Sequence, residues 1–192
     1  MIGEGVLLTA LDSHDISDIL MINRKPSPIK HPKLSEMIVK DFADLTDYQE
    51  QMKGFDSCFY CAGISSFGMN EDKYRHITYH TTILFATELA NLNPGMVFFY
   101  LSGVYADSSE NGKIMWARIK GKTENKLNKL HFKTAYSFRP GFIIPLKEQK
   151  NTRLIYKFLN LTYPFIFPNK TLTYTEIVAA LIHIITKGYN KS

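Results

Sequence analysis

Met96-Val-Phe-Phe-Tyr-Leu101-Ser102 is the stretch on which the fold turns. Six bulky, uncharged residues in a row read as a strand covered on both faces, as strands of a parallel sheet are. The run follows a helix stop, Asn91-Leu-Asn-Pro94-Gly95, and ends at a serine. Upstream of it, residues 72–90 have the apolar spacing of a long helix, and 56–61 form a further apolar strand. Earlier still, 45–52 reads as helix, 37–40 as a short strand ending at Asp41, 18–23 as strand, and 4–11 as helix with Val6, Leu7, Ala10 and Leu11 on one face. Downstream come a helix at 113–130, a strand at 133–138 closed by Arg139-Pro140-Gly141, and helices near 152–161 and 175–186. Strands that alternate with helices predict an α/β chain with a parallel, doubly wound sheet.

The chain has 192 residues, 45% of them hydrophobic and 21% charged, which suits one domain with a substantial core. We read 1–192 as a single Rossmann-like domain, with 146–192 as a C-terminal helical region for substrate or interface. Pro145–Asn151 is the best candidate for a flexible connection. The net charge of +5 is spread along the chain. Its densest run places Arg118, Lys122, Lys126 and Lys129 on one helical face, interrupted by Glu124; this is a solvated face, without the aromatic–basic interleaving of a nucleic-acid surface. There is no apolar signal core and no stretch of membrane-spanning length, so the expectation is a cytoplasmic protein that does not span a membrane. Cys58 and Cys61 form a C-x-x-C inside a strand, where residues three apart face opposite ways. They read as core residues, and no metal site is expected.

The chain opens on a helix, which is unusual for a Rossmann sheet. Such a domain starts with a strand and a Gly-rich turn that leads into a helix N-terminus, where pyrophosphate binds. Met1-Ile-Gly3-Glu-Gly5 resembles the tail of that turn, which makes the expected fold N-terminally truncated. A start codon upstream of Met1 is the preferred explanation, beside a natural truncation or a different closure of the fold. Gly3 stands where the last glycine of the turn would be. About twenty residues on, Asn23-Arg24-Lys25 ends the next strand. An acid there would bind the ribose 2′-OH of NAD, whereas cations accommodate the 2′-phosphate of NADP. Arg24 and Lys25 therefore favour NADP over NAD. Cys61-Ala62-Gly63 ends a strand with small residues that let backbone approach a dinucleotide. Asp41 ends another, where adenine would lie, and serves equally well as a helix cap.

Ser102 ends the deciding strand and suits donation to a substrate carbonyl. Fourteen residues later stands Trp116-Ala-Arg-Ile-Lys120. A serine after this strand, then an aromatic residue with a lysine four further on, resembles the site of the atypical short-chain dehydrogenases/reductases, within the NAD-dependent epimerase/dehydratase group and close to its Tat-interacting-protein-like branch. Gly3–Leu7, Asn23–Lys25, Asp56–Gly63, Leu101–Gly103, Trp116–Glu124, Phe138–Gly141 and Thr173–Ala179 carry the resemblance. It implies NADP binding, a serine that polarises a carbonyl (Ser102), and a lysine that holds the nicotinamide ribose (Lys120). The family's acid is a tyrosine, but this chain has Trp116, whose N–H only donates and does not titrate. Tyr79 likewise stands where many relatives have asparagine. Tyr105 and Tyr100 lie near Ser102; Tyr105 is the candidate replacement acid carried forward, beside Tyr100 and water. Trp116 and Arg139 are candidate pocket residues, although Arg139 also suits a purely structural role.

The expectation is thus an NAD(P)-binding, oxidoreductase-like protein with a degenerate active site, acting on a small carbonyl or hydroxyl substrate. The alternative is a non-catalytic nucleotide-sensing or protein-interaction module. Leu154–Phe167, rich in Ile, Leu, Phe and Tyr, reads first as pocket lining, next as a subunit interface and last as a segment resting on a membrane surface, and the second leaves room for a homo-oligomer.

Overall fold

The computed structural model describes residues 2–144, 146 and 171–188. They form two compact units: the described parts of 1–19, 30–35 and 140–192 in one, and 20–29 with 36–139 in the other. The larger unit holds a parallel sheet of three strands, β3 (Ser57–Tyr60), β4 (Val97–Leu101) and β5 (Thr134–Phe138), in the order β3-β4-β5. Its register sets Tyr60 beside Tyr100 and Tyr100 beside Ser137. Consequently Cys61, Ser102 and Arg139, the residues that follow the three strands, emerge at the same edge.

β4 is the central strand, and Val97, Phe98, Phe99 and Tyr100 are all buried, as its unbroken apolar run requires. Phe98 is wholly inaccessible and stacks on Phe132, with ring centroids 4.8 Å apart. Burial of a side chain of that size stabilises by about 2–3 kcal/mol. Tyr60, Phe85, Leu89, Met96 and Leu127 pack into the same core.

β1 (Ile19–Asn23) and β2 (Leu34–Ile38) make a separate two-stranded sheet. The Ile19 N–H donates to Lys33 O and the Val39 N–H to Asn23 O, both at 2.8 Å, so the two strands advance together and are parallel. β2 begins earlier than the predicted 37–40, because its ladder to β1 starts at Leu34 and takes in polar Ser35 and Glu36. Among the described residues this pair is not hydrogen-bonded to the sheet β3-β4-β5.

The predicted helix at 72–90 is interrupted. α2 (Glu71–Arg75) passes into a π turn, His76–His80, and then into α3 (Thr81–Leu92). The Thr81 N–H reaches back five residues to His76 O, the wider bond of a π turn. α2 starts on Asn70, whose side chain accepts from the Lys73 N–H. α3 stops at Asn93, whose side chain accepts from the Gly54 N–H (2.8 Å) and donates to Met52 O (2.9 Å). The predicted helix at 45–52 is a 3₁₀ turn, Thr46–Met52. α4 (Met115–Leu127) is the shortened helix predicted at 113–130. Lys122 and Lys126 are exposed on it and Lys129 is exposed just beyond its end, but Arg118 is half-buried, bonded to Gly112 O and Glu71.

In the smaller unit, α1 (Ile2–Asp12) packs on α5 (Tyr174–Lys187). A Cβ at Gly5 would run into the ring of buried Tyr174, so glycine there serves close packing. α5 opens with a capping box between Thr173 and Glu176. Two short strands, β6 (Phe142–Ile143) and β7 (Thr171–Leu172), pair in parallel and were not anticipated. The predicted helix at 152–161, the pocket-lining stretch 154–167 and nearly all of 145–151 lie outside the described residues.

Candidate functional site

The carboxyl edge of β3-β4-β5 brings together Ser102, Gly103, Trp116 and Lys120. Ser102 continues the sheet: its N–H donates to Phe138 O at 2.8 Å. Its side chain is buried, and its Oγ has no hydrogen-bond partner among the described residues. A buried hydroxyl without a partner costs about 1–3 kcal/mol, and it remains free to donate to a ligand. Trp116 and Lys120 are four apart on α4, hence on one helix face. Both flank Gly103. A Cβ there would lie 3.4 Å from the Trp116 ring and 3.8 Å from Lys120 Cδ, so the backbone after Ser102 runs along these two side chains.

The Lys120 amine donates to Leu101 O at 3.1 Å and sits 5.2 Å from the centre of the Tyr100 ring. Burial drives its pKa from 10.5 down to about 8, and the Glu124 carboxylate one turn on pulls the other way. Glu124 is itself buried and paired with Arg139 from the end of β5, which also donates to Ser108 Oγ at 2.9 Å. The Arg139 guanidinium is thereby engaged in holding α4, β5 and the loop after β4 in place. That loop is also pinned at Gly121, which lies against the Asp107 carbonyl with no room for a Cβ, and by the Asn125 side chain donating to Ser108 O (2.9 Å). Glu124, Gly121 and Asn125 did not stand out in the sequence as a clamp; Gly121 and Glu124 fell within the Trp116–Glu124 stretch, and Asn125 had no signal.

Burial raises the Tyr100 phenol well above its ordinary value, so it stays protonated. Tyr105 is 76% exposed on the pinned loop. Tyr79 is half-buried in the π turn, with Lys122 5.3 Å from its ring centre.

Cys61, Ala62 and Gly63 follow β3 without regular structure, and a Cβ at Gly63 would meet nothing within 4 Å. Burial pushes the Cys58 thiol up to about 12 and the Cys61 thiol higher still, and both are free. Thiols held protonated do not act as nucleophiles. At the end of β1, Arg24 and Lys25 are exposed, and the Arg24 guanidinium lies 5.9 Å from the Phe42 ring centre. Glu36, a residue the sequence did not single out, organises this turn by accepting from Asn23 Nδ2 (3.1 Å) and the Ser27 N–H (2.7 Å). Asp41 caps its own turn by accepting from the Ala43 N–H at 2.9 Å. Gly3 occupies the first turn of α1, in the smaller unit.

No family model matches the chain. Over 144 residues it is 26% identical to Protein HTATIP2 of Rattus norvegicus, covering 74% of this chain and 58% of that protein. The chain thus spans somewhat more than half the length of this relative. Among solved structures, the Bordetella bronchiseptica enzyme WbmG in complex with NAD superposes with a TM-score of 0.70 at 12% identity, over 100% of this chain and 67% of that one. A short chain dehydrogenase from Burkholderia cenocepacia in complex with NADP gives 0.63 at 12% identity, over 98% and 81%. The Helicobacter pylori ADP-L-glycero-D-manno-heptose-6-epimerase gives 0.67 at 12%, over 96% and 69%. The fold is that of the short-chain dehydrogenases/reductases. The match to Protein HTATIP2 agrees with the atypical branch of that family. In this chain Trp116 and Lys120 both lie against the backbone at Gly103, directly after Ser102. Among the described residues, no helix is long and apolar enough to cross a membrane.

Proposed function

We propose that this chain is an NAD(P)-binding, oxidoreductase-like protein with NADP favoured, whose degenerate site takes a small carbonyl or hydroxyl compound. The observation that supports it most is the buried, unpartnered Ser102 Oγ at the carboxyl edge, next to an amine anchored on Leu101 O. Doubly wound sheets bind ligands at that edge. The residues present suit a nicotinamide nucleotide: an orphaned donor in Ser102, open backbone at Gly63, and exposed Arg24 and Lys25 on a turn braced by Glu36. Arg24 and Lys25 would hold the 2′-phosphate, and Lys120 the nicotinamide ribose. When bound, the cofactor supplies hydride chemistry. Ser102 donates to the substrate oxygen and orients it, and Trp116 excludes water from the same face. The reading extends to a cytoplasmic protein, supported by two free thiols.

A second reading, a non-catalytic nucleotide-sensing or protein-interaction module, is favoured by one observation: an indole stands where the family's acid stands. One titration tests cofactor binding in both. Trp116 is the only tryptophan. NADPH added to the chain is expected to quench its fluorescence saturably and to excite the nicotinamide by energy transfer, with NADH weaker. No quenching refutes the cofactor reading. Equal quenching by NADH refutes the preference for NADP. Quenching without turnover of any carbonyl probe favours the module.

A further inference from the structure

We propose that Lys120 is itself the proton donor to the substrate oxygen, in place of the absent tyrosine. This deepens the oxidoreductase reading and rests on it. The side chain that precedes Lys120 by one turn on the same face is Trp116, which has no proton to give. Lys120 crosses Gly103 and brings its amine to the carbonyl immediately before Ser102. An ammonium has three donors, and Leu101 O takes one of them. The Ser102 hydroxyl, buried and unpartnered, is left to hold a carbonyl oxygen at the same edge. Tyr105, the other candidate acid, points largely into solvent.

The proton balance closes with a reduced nicotinamide as reductant. Hydride passes to the carbonyl carbon, the C=O π bond opens onto oxygen, and that oxygen takes a proton from the Lys120 ammonium. The neutral amine is then reprotonated from solvent. A lysine acts as an acid near neutral pH only where its pKa is lowered toward the working range. Two groups stand near Lys120: the Tyr100 ring from β4, protonated and uncharged, and Glu124 on α4, whose charge is engaged by Arg139 from the end of β5. Burial dominates, because the one carboxylate nearby already has a cation of its own.

The test uses the full chain, NADPH, and a series of aldehydes and ketones beginning with 4-nitrobenzaldehyde. Three results are expected. Acetic anhydride labelling read by mass spectrometry should give Lys120 a reactivity midpoint near pH 8. The turnover rate should fall tenfold per pH unit above that midpoint. Lys120→Ala should lose at least 100-fold in kcat, with recovery on adding alkylammonium ions in the order of their acidity. A lysine that only holds the ribose would instead weaken NADPH binding, and added amines would restore nothing in order of acidity; that pattern overturns the proposal. So does a labelling midpoint shared with surface lysines. NADPH quenching without turnover by the unaltered chain overturns it too, while leaving cofactor binding standing. Absence of quenching overturns the cofactor reading and this inference together.

Discussion

Replacing Lys120 by methionine should stabilise this protein at neutral pH, although it removes a hydrogen bond. The charged form of Lys120 is disfavoured by burial, and its pKa falls from 10.5 to about 8. At about 1.4 kcal/mol per pH unit, this corresponds to a cost of about 3 kcal/mol in the folded state at pH 7. Loss of the bond to Leu101 O returns about 1 kcal/mol, leaving Lys120→Met about 2 kcal/mol more stable. The sign follows from linkage. Below pH 8 the lysine is protonated whether folded or unfolded, so the whole cost is present. Between pH 8 and 10.5 only the unfolded chain holds the proton, so the cost disappears as pH rises through that window. The variant's advantage should therefore be constant up to pH 8 and gone, or slightly reversed, by pH 10.5. Urea unfolding followed by Trp116 fluorescence at pH 7, 8, 9 and 10 measures it. Taking the difference between the two proteins at each pH removes the opposing effect of the buried thiols and tyrosines, which are common to both. A difference that does not change with pH, or a variant less stable at pH 7 by more than 1 kcal/mol, would refute the claim that Lys120 is held in a desolvated place.

Three further outcomes follow from the clamp and the core. Gly121→Ala should cost about 2–3 kcal/mol, because the new methyl meets the Asp107 carbonyl and must push the loop after β4 away; an unchanged urea midpoint would contradict this. Glu124→Gln should cost about 2 kcal/mol by leaving Arg139 without its carboxylate, discounted because Arg139 is 34% exposed; adding Arg139→Met should recover part of the loss in a double-mutant cycle. Cys58 and Cys61 should resist a thiol-specific disulfide reagent at pH 8 in the folded protein and react at once in urea, since burial holds both thiols protonated; rapid reaction of the native protein would show that they are not enclosed.

The parallel sheet and its central strand follow from local pattern, because a strand covered on both faces has to be apolar throughout, and Val97–Leu101 is. The same logic placed Ser102, Arg139 and the small residues 61–63 at one edge, since parallel strands all end on the same side. The four-residue spacing of Trp116 and Lys120 was enough to put them on one helix face. What local pattern leaves out is anything that depends on a partner far along the chain. The π turn at His76–His80 has the composition of ordinary helix; the Thr123 hydroxyl reaches Thr78 O across 45 residues at that turn. Glu124 reads as one acid among several on a charged helix, and only its burial beside Arg139 makes it a clamp. Gly121 looks like a weak spot in α4 until the Asp107 carbonyl is found against it. The acidity of Lys120 is the clearest case. Its sequence neighbours, Arg118 and Lys122, are an ion-paired cation and a solvated one, and nothing in the string marks Lys120 as the desolvated one. Its lowered pKa is decided by the depth of the fold around it, because desolvation is a property of what packs over a charge and not of the residues beside it.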